Sequence, residues 1–242
     1  MSWVLEEGVT RGQSCDLTVV AGAWPYAEAN ARAIDEHWRA AIAQSPHFFN
    51  GTVHMLRRMS VQSGSGGVHF SGELIAVEFK AFLFWKRSGQ PDCGYLDAFG
   101  SALILGSDGG IVLGRQRDGN VNGGQVYMPG GFIDPRDVDT AGRVSLSGSI
   151  EREIAEETGY TDVELVKTAN TPGHSYYYSN VKDRNDYAYC TGLLFELQSE
   201  QKTDQNLDEG EKHKFTPMWV KAKDVPTTLH TGELHYWFYR DL

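Results

Sequence analysis

Residues 152–160 read REIAEETGY, and this stretch decides how the rest is read. The spacing predicts a helix over 147–158, closed by Gly159, a residue free to adopt the left-handed conformation that ends helices. On that helix Glu153, Glu156 and Glu157 stand at i, i+3 and i+4, so the three carboxylates share one face. Ile150 and Ile154 share another face and would anchor the helix to a core. Glu153 and Glu157 are like charges one turn apart, which costs about 0.2–0.5 kcal/mol in an isolated helix. Both also lie toward the C-terminal end, where the macrodipole disfavours anions. A bound divalent cation would offset these costs, since hard cations such as Mg2+ prefer carboxylate oxygens. A solvated acidic face is the alternative. Arg152, one turn before Glu156, can brace the cluster.

Working upstream, a short strand at 125–128 leads into Pro129, Gly130 and Gly131. Taken together, Arg152-Glu153-Ile154-x-Glu156-Glu157-x-Gly159-Tyr160 and the glycine turn resemble the two halves of the Nudix box, the signature of Nudix hydrolases. The resemblance covers residues from about 97 to the C-terminus. It implies an α/β fold, a Nudix-like α/β/α sandwich. It also implies a hydrolase that cleaves a nucleoside diphosphate linked to another moiety, with Mg2+ or Mn2+ as cofactor. Glu153 and Glu157 would be metal ligands, Glu156 an additional ligand or water contact, and the Gly131 carbonyl would complete the shell. Glu153 is one candidate general base. Glu209 and Glu211, in DEGEKHKFTPMWV, are the others, because relatives supply a late ligand or base just before a strand. By residue type alone these two are equally a charged surface turn, and His213 is a polar surface residue. Water attack on a pyrophosphate needs charge neutralised on two phosphoryl groups and a more acidic water, and bound metals supply both.

The box carries one departure. In the usual signature the arginine follows the opening glycine by fourteen positions, whereas Gly131 and Arg152 are twenty-one apart, so the loop has seven extra residues. The usual first glutamate, eight before the arginine, falls on Val144. Its work of pairing the arginine is absent, or moves to Asp134, Asp137 or Asp139 in FIDPRDVDTAGR. This departure favours a second possibility, a catalytically weak Nudix-like sensor of a nucleotide metabolite. RNA decapping is a third.

Substrate contacts are sought around this centre. Arg115 and Arg117 follow a hairpin and could reach a phosphate; Asn122 lies in NVNGG (120–124), just before the strand into the glycine turn. His174 and Tyr176, in HSYYY, could stack a base, although alternating tyrosines also suit an ordinary strand. Arg57 and Arg58 could contact a terminal sugar or phosphate. The long loop and the N-terminal extension favour a larger substrate, of nucleotide-sugar or ADP-ribose type, over a simple triphosphate.

The whole chain of 242 residues bears a formal charge of −10 and is 12% aromatic, which suits a folded soluble protein and opposes extended nucleic acid as a partner. A negative protein takes a negative small molecule through cations that it holds itself. The cysteines Cys15, Cys93 and Cys190 are scattered and form no CxxC, so a reducing cytoplasm is the simplest location. Glu6 and Glu7 stand where a signal peptide needs an apolar run, and the most apolar stretch, 74–85, is too short to span a bilayer, so no membrane is expected. No P-loop or dinucleotide-binding glycine fingerprint is present.

SGQPDCG, residues 88–94, reads as the boundary between an N-terminal α+β extension, 1–92, and a Nudix-like catalytic domain, 93–242. In the extension a strand is expected at 15–20, a helix at 26–43, strands at 53–61 and 68–70, and a helix at 74–86. Beyond it, strands are expected at 102–105, 111–113, 163–167, 187–197 and 217–220, with a C-terminal helix at 228–242. Relatives are often homodimers, and the extension is a candidate for such an interface.

Overall fold

The computed structural model describes the backbone of residues 8–12, 14–65, 67–106, 110–121, 123–159, 176–183, 186–197 and 215–221, and side chains chiefly within 14–159. In chain order the elements are β1 (Gly8–Gly12), β2 (Ser14–Val19), α1 (Pro25–Ala29), α2 (Ala31–Gln44), β3 (Thr52–Gly64) and β4 (Gly67–Glu78). Then come α3 (Phe79–Arg87), β5 (Leu96–Gly106), β6 (Gly110–Gln116), β7 (Val126–Tyr127) and β8 (Gly130–Phe132). A 3-10 turn at Pro135–Asp137 precedes α4 (Leu146–Thr158), β9 (Tyr176–Asp183), β10 (Asp186–Leu197) and β11 (Phe215–Lys221).

The strands form one mixed, eleven-stranded sheet with the order β1-β9-β10-β5-β3-β4-β2. β6 joins β5, β7 and β11, and β8 pairs with β5. β5 and β10 run parallel over ten residue pairs, from Ala188↔Asp97 to Leu197↔Gly106. β3 meets β5 at Met55↔Asp97 and Leu56↔Leu96, so the first 92 residues and the remainder share this sheet.

Both faces are covered, which explains the run of four buried residues from Val53 to Leu56 in β3. On one face Leu17, Leu56, Met59, Phe70 and Leu74 pack with Ala98, Ala102, Ile104, Ile133, Leu146, Ile150 and Ile154, the last three from α4. On the other, Val53, Met55, Ile75 and Val77 pack beneath Ile34 of α2 and Phe82 and Trp85 of α3. Helices on both sides of a sheet make the α/β layering expected from the sequence. A bulge between Leu56 and Arg58 shifts the register so that Leu56 and Met59 can serve the same core.

The helix expected at 74–86 begins only at Phe79. Residues 74–78 are strand, paired from Leu56↔Leu74 to Thr52↔Glu78. Leu74 and Ile75 bury on opposite faces, and a two-sided apolar demand is met by extended backbone rather than by a helix with one buried stripe. The helix expected at 26–43 is split at Asn30, whose Nδ2 donates to the Tyr26 carbonyl at 2.8 Å and closes α1. The other strands expected at 15–20, 53–61, 102–105, 111–113, 187–197 and 217–220 are found in β2, β3, β5, β6, β10 and β11. The strand expected at 163–167 and the helix at 228–242 lie outside the described residues. Among the described residues no helix is long and apolar enough to cross a membrane.

Candidate active site

The site is built where α4 crosses β5 and β8. Ile150 and Ile154 are fully buried and face the core, as their spacing requires. Gly100 in β5 makes the close approach possible, because a Cβ there would lie 2.6 Å from the Ile150 Cγ1. β8 is equally tight. Gly130 pairs with Ser101, and a Cβ on it would run into the Gly100 carbonyl. A Cβ on Gly131 would lie 2.5 Å from the Glu153 carboxylate carbon. The glycine turn is therefore the cradle into which the helix lowers its acids.

The three glutamates do not share one environment. Glu157 is only 8% exposed, and its Oε2 accepts the Gly130 N–H at 2.9 Å. Glu153 is half-buried against Gly131, while Glu156 lies further out. Arg152 ties the outer two together, with Nη1 donating to Glu153 Oε1 at 2.6 Å and to Glu156 Oε2 at 3.3 Å. Its Nη2 donates to both oxygens of Asp137, at 3.3 and 3.0 Å, and lies 3.6 Å from Asp134 Oδ2. Arg136 adds a second cation, donating to Asp134 through Nε at 2.7 Å and reaching Glu156 at 3.5 Å.

This electrostatic network governs protonation. Burial works against the charge on Arg152, but the Glu153 charge and the bonds and charge of Asp137 outweigh it and hold the guanidinium above its ordinary pKa. At Asp134 burial opposes ionisation too. Hydrogen bonds from the Arg136 side chain and backbone, with the Arg152 charge, outweigh it and hold the carboxyl below its usual value.

Of the three aspartates open as arginine partners, Asp137 makes the closest contact, Asp134 a longer one, and Asp139 is bonded to Arg143. Val144 is half-buried against the core, its N–H donating to the Leu17 carbonyl at 2.9 Å. Arg115 is exposed on β6, opposite Val126 and Thr216, and Arg117 is exposed just beyond. Arg57 and Arg58 are exposed on β3. Tyr176 opens β9, opposite Gly12 and Leu193. Asn122, His174, Glu209, Glu211 and His213 lie outside the described residues.

His54 was not among the residues singled out from the sequence. Buried His54 of β3 bonds the Ile133 carbonyl at 2.7 Å, and since a carbonyl only accepts, Nδ1 carries the proton. The only hint was a polar residue inside the apolar run of residues 53–56.

The profile of the NUDIX domain matches residues 94–240, which hold this whole cluster. The chain belongs to the Nudix family. Membership makes it a Nudix-type hydrolase acting on phosphoanhydride bonds. No curated protein matches the chain. Among solved structures, the MutT protein of Methanosarcina mazei is 19% identical, with 59% of this chain and 88% of that one covered and a TM-score of 0.36. A Nudix hydrolase of Nitrosomonas europaea is 15% identical, covering 60% and 87%, with a TM-score of 0.42. The Nudix domain of Shewanella oneidensis NrtR, solved with ADP-ribose, is 16% identical, covering 60% and 84%, with a TM-score of 0.41.

Nudix hydrolases use divalent metals. The donor set here fits such an ion in its chemistry: three carboxylates on one helix, two of them set against a glycine turn that any Cβ would fill. Among the described residues no three acidic, histidine or cysteine side chains converge closely enough to hold an ion. The physical reason is local, since Arg152 draws Glu153 and Glu156 to itself while Glu157 turns to Gly130.

Proposed function

We propose that the chain hydrolyses a nucleoside diphosphate linked to another moiety, of nucleotide-sugar or ADP-ribose type, with Mg2+ or Mn2+. One observation carries this: Glu157 and Glu153 are lowered onto Gly130 and Gly131, so helix and glycine turn form one oxygen-rich floor. Glu153, Glu156, Glu157 and the Gly131 carbonyl would hold the ion. When bound, the ion supplies a more acidic water and neutralises charge on the two phosphoryl groups.

The protein's own groups do the remaining work. Arg152 aims Glu153 and Glu156 through its Nη1 hydrogen bonds, and the Gly130 N–H orients Glu157. A general base takes the proton of the attacking water, and Glu153, Glu209 and Glu211 are its candidates. Arg115, Asn122, His174 and Tyr176 are the proposed substrate contacts. The same reading puts the protein in the cytoplasm, with the homodimer as its candidate assembly.

A second reading, a nucleotide-metabolite sensor, draws on Arg152, which already neutralises part of the carboxylate cluster. A product screen separates the two. The purified chain is incubated with Mg2+ or Mn2+ and a panel of nucleoside-diphosphate-X compounds and triphosphates, with a phosphatase to reveal monophosphate. Glu157→Gln runs beside it, because a glutamine oxygen can still accept the Gly130 N–H and the fold should persist. Turnover of one compound, cut on the order of 10²–10³-fold in the variant as for a lost charge stabiliser, supports the hydrolase. Near-normal turnover in the variant removes Glu157 from the site. Absence of turnover, with thermal stabilisation by one nucleotide, favours the sensor.

A further inference from the structure

Phe48 and Phe49 are neighbours in the loop between α2 and β3, yet they meet opposite surroundings. Phe48 turns inward, its ring stacked on Trp38 with centroids 6.5 Å apart and edge-on to Phe79 at 5.9 Å. Phe49 turns outward and is 80% exposed, more than any other large hydrophobic side chain among the described residues. One exposed apolar side chain is ordinary on a protein surface. Its mounting sets this one apart.

The loop that carries Phe49 is fixed on both sides. Ser45 donates its Oγ–H to the Gly119 carbonyl at 2.9 Å, and His47 Nε2 lies 3.2 Å from Asn120 Oδ1. Asn50 Oδ1 accepts the Lys80 N–H at 2.9 Å, and the Gly51 carbonyl accepts the Phe79 N–H at 2.8 Å. The Phe49 ring lies over Gly51, where a Cβ would come within 3.2 Å of its Cε1. A ring held in this way loses little entropy when a flat ligand covers it.

Both anchors lead to the site. Gly119 and Asn120 belong to the loop between β6 and β7, which runs on into Pro129 and the glycine turn. Phe79 packs edge-on to Phe132 with centroids 6.3 Å apart, and Phe132 follows Gly131. His54, near the start of β3, bonds the Ile133 carbonyl. Phe49 therefore stands beside the segments that enter and leave the glycine turn. Arg117, in the same β6–β7 loop, is exposed and makes no ion pair among the described residues, whereas Arg136 and Arg152 at the acidic end are paired. An aromatic face and an unpaired guanidinium suit the base and a phosphate of a nucleotide. A protein partner would need a patch of about 800 Å². The only other exposed large hydrophobic side chain among the described residues is Ile42, at 37%. One ring suffices for a base.

We infer that Phe49 is a specificity-determining residue whose ring stacks on the nucleobase of the substrate. The first 92 residues then read the nucleoside end, while α4 and the glycine turn act on the phosphates. The inference rests on the nucleoside-diphosphate reading above.

The test uses the full chain and the variants Phe49→Ala, Phe49→Tyr and Ile42→Ala. Thermal midpoints are recorded, and kcat and KM are measured for whichever compound the product screen identifies. Calorimetric titration sets AMP, GMP, CMP and UMP beside ribose 5-phosphate, which has no base. Losing one base–aromatic stack should raise KM, and the Kd of the monophosphate that wild type binds best, by about 5–150-fold in Phe49→Ala. Its kcat, its affinity for ribose 5-phosphate and its midpoint should stay near wild type, since the ring faces water. Phe49→Tyr should restore most of the loss, and Ile42→Ala should match wild type throughout. Wild-type KM and monophosphate affinity in Phe49→Ala would overturn the inference. Equal weakening of the monophosphate and ribose 5-phosphate overturns it too, because the ring then meets something other than the base, and so does a fall in kcat at constant KM. If wild type binds a monophosphate without turnover, the titrations alone decide in the same way. A wild-type chain that neither turns over any compound nor binds any monophosphate defeats the parent reading instead.

Discussion

Ile154 and Glu157 lie three residues apart on α4 and meet different surroundings. Ile154 is fully buried among Leu146, Ile150, Ala98 and Ala102. Its truncation removes buried methyl groups and leaves a cavity, so Ile154→Ala should destabilise the protein by roughly 2–5 kcal/mol in denaturant titration. An unchanged midpoint would contradict this orientation of α4. Ile154 was legible because helical spacing alone assigns it to the face of Ile150. The inward turn of Glu157 was not. That turn depends on Gly130, which sits flush against the Gly100 carbonyl and directs its N–H to the helix, a contact between residues 27 positions apart. A charge spacing on a helix gives the face but not the depth, which is set by what lies opposite.

The helix starting at Phe79 shows the same limit at the level of elements. Residues 74–86 are apolar enough for helix or buried strand, and periodicity cannot separate these over a short run. Pairing with β3 separates them, by giving residues 74–78 partners on one edge and burial on two faces. The covering pair of helices carries a pH dependence. His37 of α2 packs edge-on to Phe84 of α3, with ring centroids 5.6 Å apart. Burial, and then the Arg87 charge, hold its imidazole below the ordinary pKa of 6.5. The unfolded chain therefore takes up the proton first. Its contribution is intact above the unfolded value of 6.5 and is lost as pH falls from there through the lower folded value. The melting midpoint of wild type should drop more between pH 7.5 and 5.5 than that of His37→Gln. Parallel curves would refute this role for His37.

The first 92 residues contribute β3 beside β5 with β4 and β2 beyond it, the helices over one face, half of a shared core, and the bonds from His54 and β2 to the loop on either side of Asp137. A chain of residues 93–242 alone should therefore lack a cooperative thermal transition, since β5 would lose its β3 partner and Ala98, Ala102 and Ile133 would lose their cover of Leu56, Phe70 and Leu74. A sharp calorimetric transition for that fragment would show that it folds unaided. The expectation of a boundary at 88–94 rests on Ser, Gly and Pro, which register local chain character and hold no information on a pairing such as Met55 with Asp97. By itself the sequence determined the family, the α4 helix with its buried and acidic faces, and the glycine turn, because each of these is written in spacings of a few residues. Only the tertiary structure decided that Asp137 meets Arg152, that Glu157 turns inward, and that β2 holds the inserted loop. Those contacts join segments far apart in the chain, and burial and unpaired backbone groups select them only once the sheet is assembled.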